Sequence, residues 1–487
     1  MNTSVNKIID AHLHADSAPL INKVFCQQSE HAIKLRSSDA NQRIKALVKF
    51  KRVFQKYTQS LIDAAKKDLN KPETETNISE IFPVIHEINH TVRHLKKWMK
   101  KKSVGPTLAM IGTKGSISYE PKGVCLIVSP WNYPINLTFC PLISAIAAGN
   151  TAMIKPSELT PNLSKVISQI IDECFSSSEV AVFEGEVDIA LALLELPFDH
   201  IFFTGSPQVG SSVMSSAAKN LTSVTLELGG KSPTIIDHEV NLKKAVQKIT
   251  WAKFSNNGQT CVAPDYVLVH ESIVDDFLKE IRLQISNVYG NSHEDIKNSK
   301  DYCRIVSVSH SKRLKELLDD AKSKNAKVIC GGLIEEHDRF VPPTVVYGEG
   351  SDIFDSRLMK EEIFGPILPV ISYNSIGEAI AIVNSYPKPL ALYIYSKNKE
   401  RINKVIQETS SGGACINHSV VQFLHNNLPF GGVNNSGIGS SHGIYGFKAF
   451  SHERAVLEDK FSITHWLFPP YKKRVRILVK MLIRYFS

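Results

Sequence analysis

Two rhythms divide the chain. From about Gln42 to Lys102 apolar residues recur at steps of three and four, as in QRIKALVKFKRVFQKYTQSLIDAAKKDL and EIFPVIHEINHTVRHLKKWMKKK, which predicts amphipathic helices. GPTLAMIGTKGSISYEPKG then reads as a loop followed by a strand. Beyond it, short apolar runs alternate with helical segments. GVCLIVSP, TAMIKP, VAVFEG, HIFFTG and SVTLELGG read as strands. NLTFCPLISAIAAG, NLSKVISQIIDECF, VDIALALLEL and PQVGSSVMSSAAK read as the helices between them. Such alternation predicts a parallel, doubly wound α/β sheet, with any ligand at the carboxyl ends of its strands. A second alternating block from about Lys231 to Gly412, including SPTIID, NLKKAVQKITWAKF, YVLVH, AKVICGG and PILPVISY, predicts a second α/β domain. From Gly413 to Ser451 glycine, asparagine and serine dominate.

The chain's 487 residues suggest two or three cores. A net charge of +9 concentrates in two places, Arg93 to Lys102 and Lys472 to Arg484. The rest of the surface is near balance, which argues against a broad nucleic-acid face. None of the eight cysteines forms C-x-x-C, so a disulfide framework or cysteine-rich zinc site is not expected, and a reducing cytoplasm is. Neither a signal peptide nor a membrane-spanning run of roughly 18 to 20 apolar residues is expected.

Several strand ends carry candidate chemistry. HIFFTG ends in Gly205-Ser206, with Val209 and Gly210 one turn on. Glycine lets a backbone approach a phosphate, and Ser206 can cap a helix whose N-terminus favours a pyrophosphate; an ordinary strand-to-helix turn is the alternative. In IKPSE, Lys155 can hold a ribose hydroxyl or phosphate. Glu158 can accept from an adenosine ribose hydroxyl and would repel a 2′-phosphate. Cys261, in NNGQTCVAP, has small polar neighbours suited to a reactive thiol. Glu227, in LELGGK, can act as a general base with backbone room around it. Asn132, in SPWNYP, can donate to an oxyanion, or simply form a turn.

Two short stretches point elsewhere. HEINH (86–90) puts two histidines on one helix face in a zinc-protease pattern. Its usual continuation fails, because Arg93 and Lys96 stand where glycine and histidine are required. DAHLH (10–14) is an opening ligand pair of metal-dependent amidohydrolases, but KIID before it makes a poor buried strand. A mobile N-terminal arm is the expectation there, and surface or packing histidines in HEINH.

SPWNYP, GNTAMIKPSE, FFTGS, LELGGKSP, GQTCVAPDY, EEIFGP and PFGG…SGIG, in that order, resemble the aldehyde dehydrogenase superfamily over residues 30–460. GQTCVAPDYVLV and FSHERAV are similar to its class 3 branch. ETNISEIFPVIHEINHTVRHLKKWM and the late PPY look most like bacterial coniferyl-aldehyde dehydrogenases, with fatty-aldehyde dehydrogenases next. The resemblance implies an α/β aldehyde dehydrogenase fold. A Rossmann-like cofactor domain (29–225) and a catalytic domain (226–412) would follow an N-terminal arm (1–28). Residues 413–460 would be a return segment that, with 111–121, builds a strand arm pairing two subunits of a homodimer. A tail (461–487) would close the chain.

It also implies roles. Cys261 would attack the aldehyde, and Asn132 with the Cys261 backbone N–H would hold the oxyanion. Hydride would pass to NAD+ (NADP+ being compatible), and Glu227 would activate water on the thioester. Lys155 and Glu158 would hold the adenosine ribose, and Gly205, Ser206, Val209 and Gly210 the pyrophosphate turn. Glu362 would hold the nicotinamide ribose, with Phe364 beside it and Trp131 lining the cleft. The aldehyde would be apolar, aryl or long-chain. An acylating relative fits less well, because Glu227, the deacylating base, is present. Departures are Asn257 for the usual alanine, Asn434 and Asn435 after PFGGV where glycine is usual, and Ser441 where an aromatic is common.

The tail YKKRVRILVKMLIRYFS has no acidic residue. Lys473, Arg476, Lys480 and Arg484 recur at helical spacing beside Val475, Leu478, Val479 and Leu482. Such a helix can lie on an anionic membrane; packing on its own protein beside the substrate funnel is the alternative.

Overall fold

The structure is a computed structural model that describes residues 6–107, 110–348, 352–462 and 464–486, with backbone alone for 6–17, 352 and 486. Three sheets organise these residues. Apolar runs at Val124–Val128, Thr151–Lys155, Val180–Val182, His200–Thr204 and Ser223–Glu227 pair in parallel, as continuous buried strands between two helical layers should. The short Gly437–Ile438 strand closes this sheet antiparallel against Leu226 and Glu227.

One face is covered by Ala40–Lys56, Phe82–Trp98, Pro134–Ala148 and Pro161–Cys174, whose apolar stripes share a core with Ile127 and Ile154. The other face packs Val213 and Ala217 of Pro207–Lys219 with Ile189 and Leu193. It also packs Ile21 and Val24 of the first helix, Asn6–Leu35. That last contact corrects the expected mobile arm. The segment is helical, and the Gln28 amide donates 3.0 Å bonds to the Ala152 and Ser177 carbonyls, tying it to the sheet. Among its described side chains Ile21 and Val24 are buried, and the side chains of residues 10–14 lie outside the described residues.

The second sheet has seven strands, in the order 327–330, 344–348, 367–373, 266–270, 233–236, 391–395 and 413–416; only the first pair is antiparallel. Gly413–Ile416 is therefore an edge strand of this sheet, not part of a return segment beginning at 413. Its glycine-rich surroundings masked a four-residue strand. In the third sheet Thr113–Pro121 pairs antiparallel with Ser451–Asp459 along its whole length, and Lys102–Val104 adds a short third strand. Every residue of Ser451–Asp459 after Ser451 is exposed.

A buried ion pair joins the helical layer to the loop that carries Asn132. Lys71 Nζ lies 2.8 Å from Glu80 Oε1, with neither side chain exposed. Glu80 Oε2 accepts from the Ile135 and Asn136 N–H groups at the start of Pro134–Ala148, and Lys71 Nζ sits 4.0 Å from the Tyr133 ring centroid. Lys71→Met leaves the Glu80 charge without its cation, a loss of about 3–5 kcal/mol. The thermal unfolding midpoint should fall by several degrees, and an unchanged midpoint would refute this role.

Candidate active site

Cys261 is delivered by an unusual turn. After the helix Leu242–Phe254 the backbone enters the left-handed region at Asn256 (φ 49°), Asn257 (φ 54°) and Gly258 (φ 70°) in succession. Asparagine tolerates this conformation better than most residues, which accounts for Asn257 where alanine is usual. Its side chain is also fixed, donating to the Cys303 carbonyl and accepting from Tyr302 Oη, both at 3.0 Å. Gly258 packs directly on the Gly365 backbone, where a Cβ would collide. Gln259 extends the brace: Nε2 donates to the Asn256 and Arg304 carbonyls, and Oε1 accepts from the Val306 N–H.

The Asn132 loop is stitched to this turn. Asn132 Nδ2 donates to the Gln259 carbonyl at 3.0 Å, Asn256 Nδ2 donates to the Asn132 carbonyl at 2.9 Å, and Tyr133 Oη bonds Thr260 Oγ1 at 2.7 Å. Two loops from different sheets are thus locked together, and the amide of one is bonded to the backbone two residues before the thiol of the other. Cys261 is partly exposed there. Burial pushes its thiol up, and the Glu362 and Glu227 carboxylates push further the same way.

Glu227 ends the strand Ser223–Glu227, 4% exposed. Burial raises its pKa, while His442, Ser441 and Thr204 act in the opposite direction. The Ser441 hydroxyl donates to Glu227 Oε1, so the hydroxyl standing where an aromatic is common anchors this carboxylate. Asn434 adopts φ 54°, as its left-handed tolerance allows, and accepts from Lys388 Nζ at 2.9 Å.

Cys261, Tyr133 and His442 line one cavity of about 280 Å³. Its walls include Leu137, Val262, Phe423 and Phe430. Ile78, Trp251 and Val288 also line it and are 53%, 43% and 46% exposed, which makes an apolar mouth. A second cavity of about 330 Å³, between the first helix and the strand Val180–Val182, holds none of the candidate residues.

The dinucleotide candidates cluster at the carboxyl ends of the first sheet's strands. Lys155 Nζ donates to Glu158 Oε2 at 2.9 Å and to the Pro156 carbonyl at 2.8 Å; the lysine is 4% exposed and the glutamate 39%. Ser206 caps Pro207–Lys219, accepting from the Val209 N–H at 3.4 Å. Gly210 packs on Leu228, where a Cβ would lie 2.6 Å from Cδ2, and Val209 is half-exposed on the same first turn. Glu362 lies against Gly229 so closely that a Cβ there would overlap its carboxylate. Burial and Asp265 push Glu362 up to about 8. Phe364, in the left-handed region at φ 50°, meets the Trp131 ring edge-on at 5.3 Å between centroids. A capped helix N-terminus, glycines at close approaches and a lysine–glutamate pair at a strand end supply the donors and acceptors that an NAD(P)+ group needs.

HEINH has a different use from any metal site. His86 stacks on Phe82 with centroids 5.5 Å apart, and His90 meets His94 at 4.3 Å. Among the described residues no group of three His, Cys, Asp or Glu residues could hold a metal ion. The side chains of His12 and His14 lie outside the described residues. No residue of Phe82–Trp98 lines the Cys261 cavity, but the helix reaches a residue that does. Glu87, 1% exposed, accepts from the Gly443 N–H and from Asn426 Nδ2, both at 2.8 Å, beside the pocket residue His442. Sequence reasoning missed Glu87, Ser441 and His442. The available signal was acid within an apolar face: Glu80 and Glu87 share one side of the helix with Val84, Ile88, Thr91 and Leu95.

Residues 5–456 match the aldehyde dehydrogenase family, so the likeness starts well before residue 30. A Staphylococcus aureus protein named 4,4'-diaponeurosporen-aldehyde dehydrogenase is 42% identical, over 91% of this chain and 95% of its own. A Pseudomonas aeruginosa protein named "Probable coniferyl aldehyde dehydrogenase" is 38% identical, over 95% of this chain and 96% of its own. The solved structure of the substrate-bound state of Staphylococcus aureus AldH superposes with a TM-score of 0.89 at 41% identity, covering 95% of this chain and 99% of that one.

Proposed function

The chain belongs to the aldehyde dehydrogenase family, and from that premise we propose that it oxidises an apolar aldehyde, aryl (such as coniferyl) or medium- to long-chain, to the carboxylate with Cys261 as nucleophile. The observation that carries this reading is the apolar-mouthed cavity with Cys261 in its wall. Coniferyl and diaponeurosporen-type aldehydes, named for two relatives, are both extended and apolar.

Cys261 Sγ adds to the aldehyde carbon while its proton passes to solvent water in the cavity mouth. The Asn132 amide and the Cys261 backbone N–H hold the oxyanion that develops. When bound, NAD(P)+ supplies the acceptor for the hydride released as the adduct becomes a thioester. Glu227 then takes a proton from water attacking the thioester, and Cys261 is freed with the carboxylate. Lys155 and Glu158 hold the adenosine ribose. Gly205, Ser206, Val209 and Gly210 form the pyrophosphate turn, Glu362 holds the nicotinamide ribose, and Trp131 and Phe364 flank the cleft. The first sheet is the cofactor domain and the second the catalytic domain. With NAD+ or NADP+ in excess, kcat/KM should rise from propanal to octanal and coniferyl aldehyde. A preference for propanal would sink the apolar-substrate reading.

NAD+ is the preferred cofactor in this reading, because the Glu158 carboxylate opposes a 2′-phosphate. Glu158→Ala should raise the NADP+/NAD+ ratio of kcat/KM about tenfold, a partly exposed like-charge repulsion removed. An unchanged ratio would contradict that assignment.

The exposed strand Ser451–Asp459 is suited to the partner-facing arm of a homodimer. The tail is suited to peripheral contact with an anionic membrane from the cytoplasm. Lys473–Phe486 is helical, with Val475, Leu478 and Leu482 half-buried and its basic residues exposed. Among the described residues no helix is long and apolar enough to cross a membrane. The full chain should co-sediment with phosphatidylglycerol vesicles at low salt and be released at about 0.5 M salt, where charge is screened. Binding to neutral vesicles alone would point to a different surface.

A further inference from the structure

Two side chains from distant parts of the sequence, Glu87 and His442, meet beside the cavity, and Ser441, next to His442 in the chain, bonds Glu227. Glu87 Oε2 is 3.7 Å from His442 Nδ1. Both Glu87 oxygens are already engaged, Oε1 by the Gly443 N–H and Oε2 by Asn426 Nδ2. The carboxylate is therefore fixed in place. His442 is 10% exposed and adopts φ 68°, a conformation costly for a residue with a Cβ and worth holding only where a side chain must be aimed. Gly443 follows at φ 51°, and a Cβ there would collide with the Asn426 carbonyl. The bend puts the His442 ring in the cavity wall with Cys261 and places Ser441 on Glu227.

The groups around the ring set its charge. Glu87 acts on it from Phe82–Trp98 and Glu227 from Ser223–Glu227. His90 lies beside the next residue, Gly443, and the Cys140 thiol of Pro134–Ala148 senses both carboxylates. Tyr133 and Cys261 share the cavity wall, and Phe430 packs edge-on at 5.4 Å between centroids. Burial works against a charged His442, but Glu87 and then Glu227 outweigh it and raise its pKa. Burial likewise works against a charged Glu87, which His442 and Gly443 nonetheless hold below the usual carboxylate range. Glu227, raised by its own burial, has His442 as the largest influence in the opposite direction.

We propose that Glu87 and His442 are positioning residues for thioester hydrolysis: Glu87 holds the His442 imidazolium beside Glu227, and that charge keeps Glu227 anionic and available to water. This rests on Cys261 forming the thioester and Glu227 acting as base. His442 need not touch the substrate for this role, and neither residue gains or loses a proton in the reaction.

The test is acyl-enzyme decay, followed by rapid quench and intact mass from pH 5 to 9 in wild type, Glu87→Gln, His442→Gln and Glu87→Asp. Both Gln variants should form the Cys261 acyl-enzyme. Its decay should slow about tenfold at pH 7, with the acidic limb moving up by about one unit or more as an opposite charge is lost. Glu87→Asp should recover part of both. Because the two Gln variants sit on different elements, a folding failure of one leaves the other as the test. Slower decay with an unmoved limb would overturn the proposal, as would normal decay. Absence of any acyl-enzyme in wild type would instead overturn the underlying Cys261 reading.

Discussion

Replacing Cys261 with alanine should abolish NAD(P)H formation from aldehyde, a fall of about 10⁴-fold or more, while cofactor binding survives. The magnitude follows from removing the atom that forms the covalent intermediate, which leaves the remaining groups little to act on. Binding survives because the proposed cofactor-holding residues Lys155, Glu158 and Ser206 lie on other elements and make no contact through Cys261. Kinetics and fluorescence titration of the cofactor check the two halves. Wild-type alkylation by iodoacetamide adds a pH signature. Since burial and two carboxylates push the thiol up, reaction at Cys261 in the isolated protein should be slow at pH 7 and climb through the alkaline range. Fast alkylation at pH 6 would mean a thiolate stabilised by something outside this account.

Glu227→Gln should separate the two half-reactions. The thioester should form, and steady turnover should fall by about 10²- to 10⁴-fold, the usual weight of a positioned general base. The acyl-enzyme should accumulate on Cys261 and be visible by intact mass. In wild type the pH dependence has a defined sign. Burial raises the Glu227 pKa above that of an ordinary carboxyl, so turnover should drop as pH falls through that raised value and stay high above it. Equal loss of acylation and deacylation in Glu227→Gln would assign the carboxylate to the first step instead.

The sequence and the structure agree most closely where local pattern and function coincide. Apolar runs gave the parallel strands of the first sheet and four of the seven strands of the second, because a parallel sheet covered on both faces needs continuous burial. The ends of those strands are where Lys155, Ser206 and Glu227 sit. Cys261 was readable from its small polar neighbours, and its turn explains them: three successive left-handed residues leave little choice beyond asparagine and glycine. Two segments carried no local signal of the contacts they make. The first helix is held by Ile21, Val24 and Gln28 against strands more than 100 residues away, contacts that no local pattern shows. HEINH invited a metal reading because Glu87 is flanked by histidines. Its partners Asn426, His442 and Gly443 lie more than 300 residues away in sequence. No spacing rule joins residues that meet only after two domains have folded. The same distance hid the part of Ser441, which looked like a lost aromatic and is a hydrogen-bond donor to Glu227.

The central claim is a cysteine-dependent oxidation of an aldehyde to a carboxylate. Its most direct test is to mix purified full-length protein with octanal or coniferyl aldehyde and NAD+ or NADP+, follow absorbance at 340 nm, and quantify the acid by mass spectrometry. The account predicts one carboxylate per reduced cofactor, insensitivity to a chelator, and no signal from Cys261→Ala. Reduced cofactor without carboxylate, or turnover that survives the loss of Cys261, would contradict it.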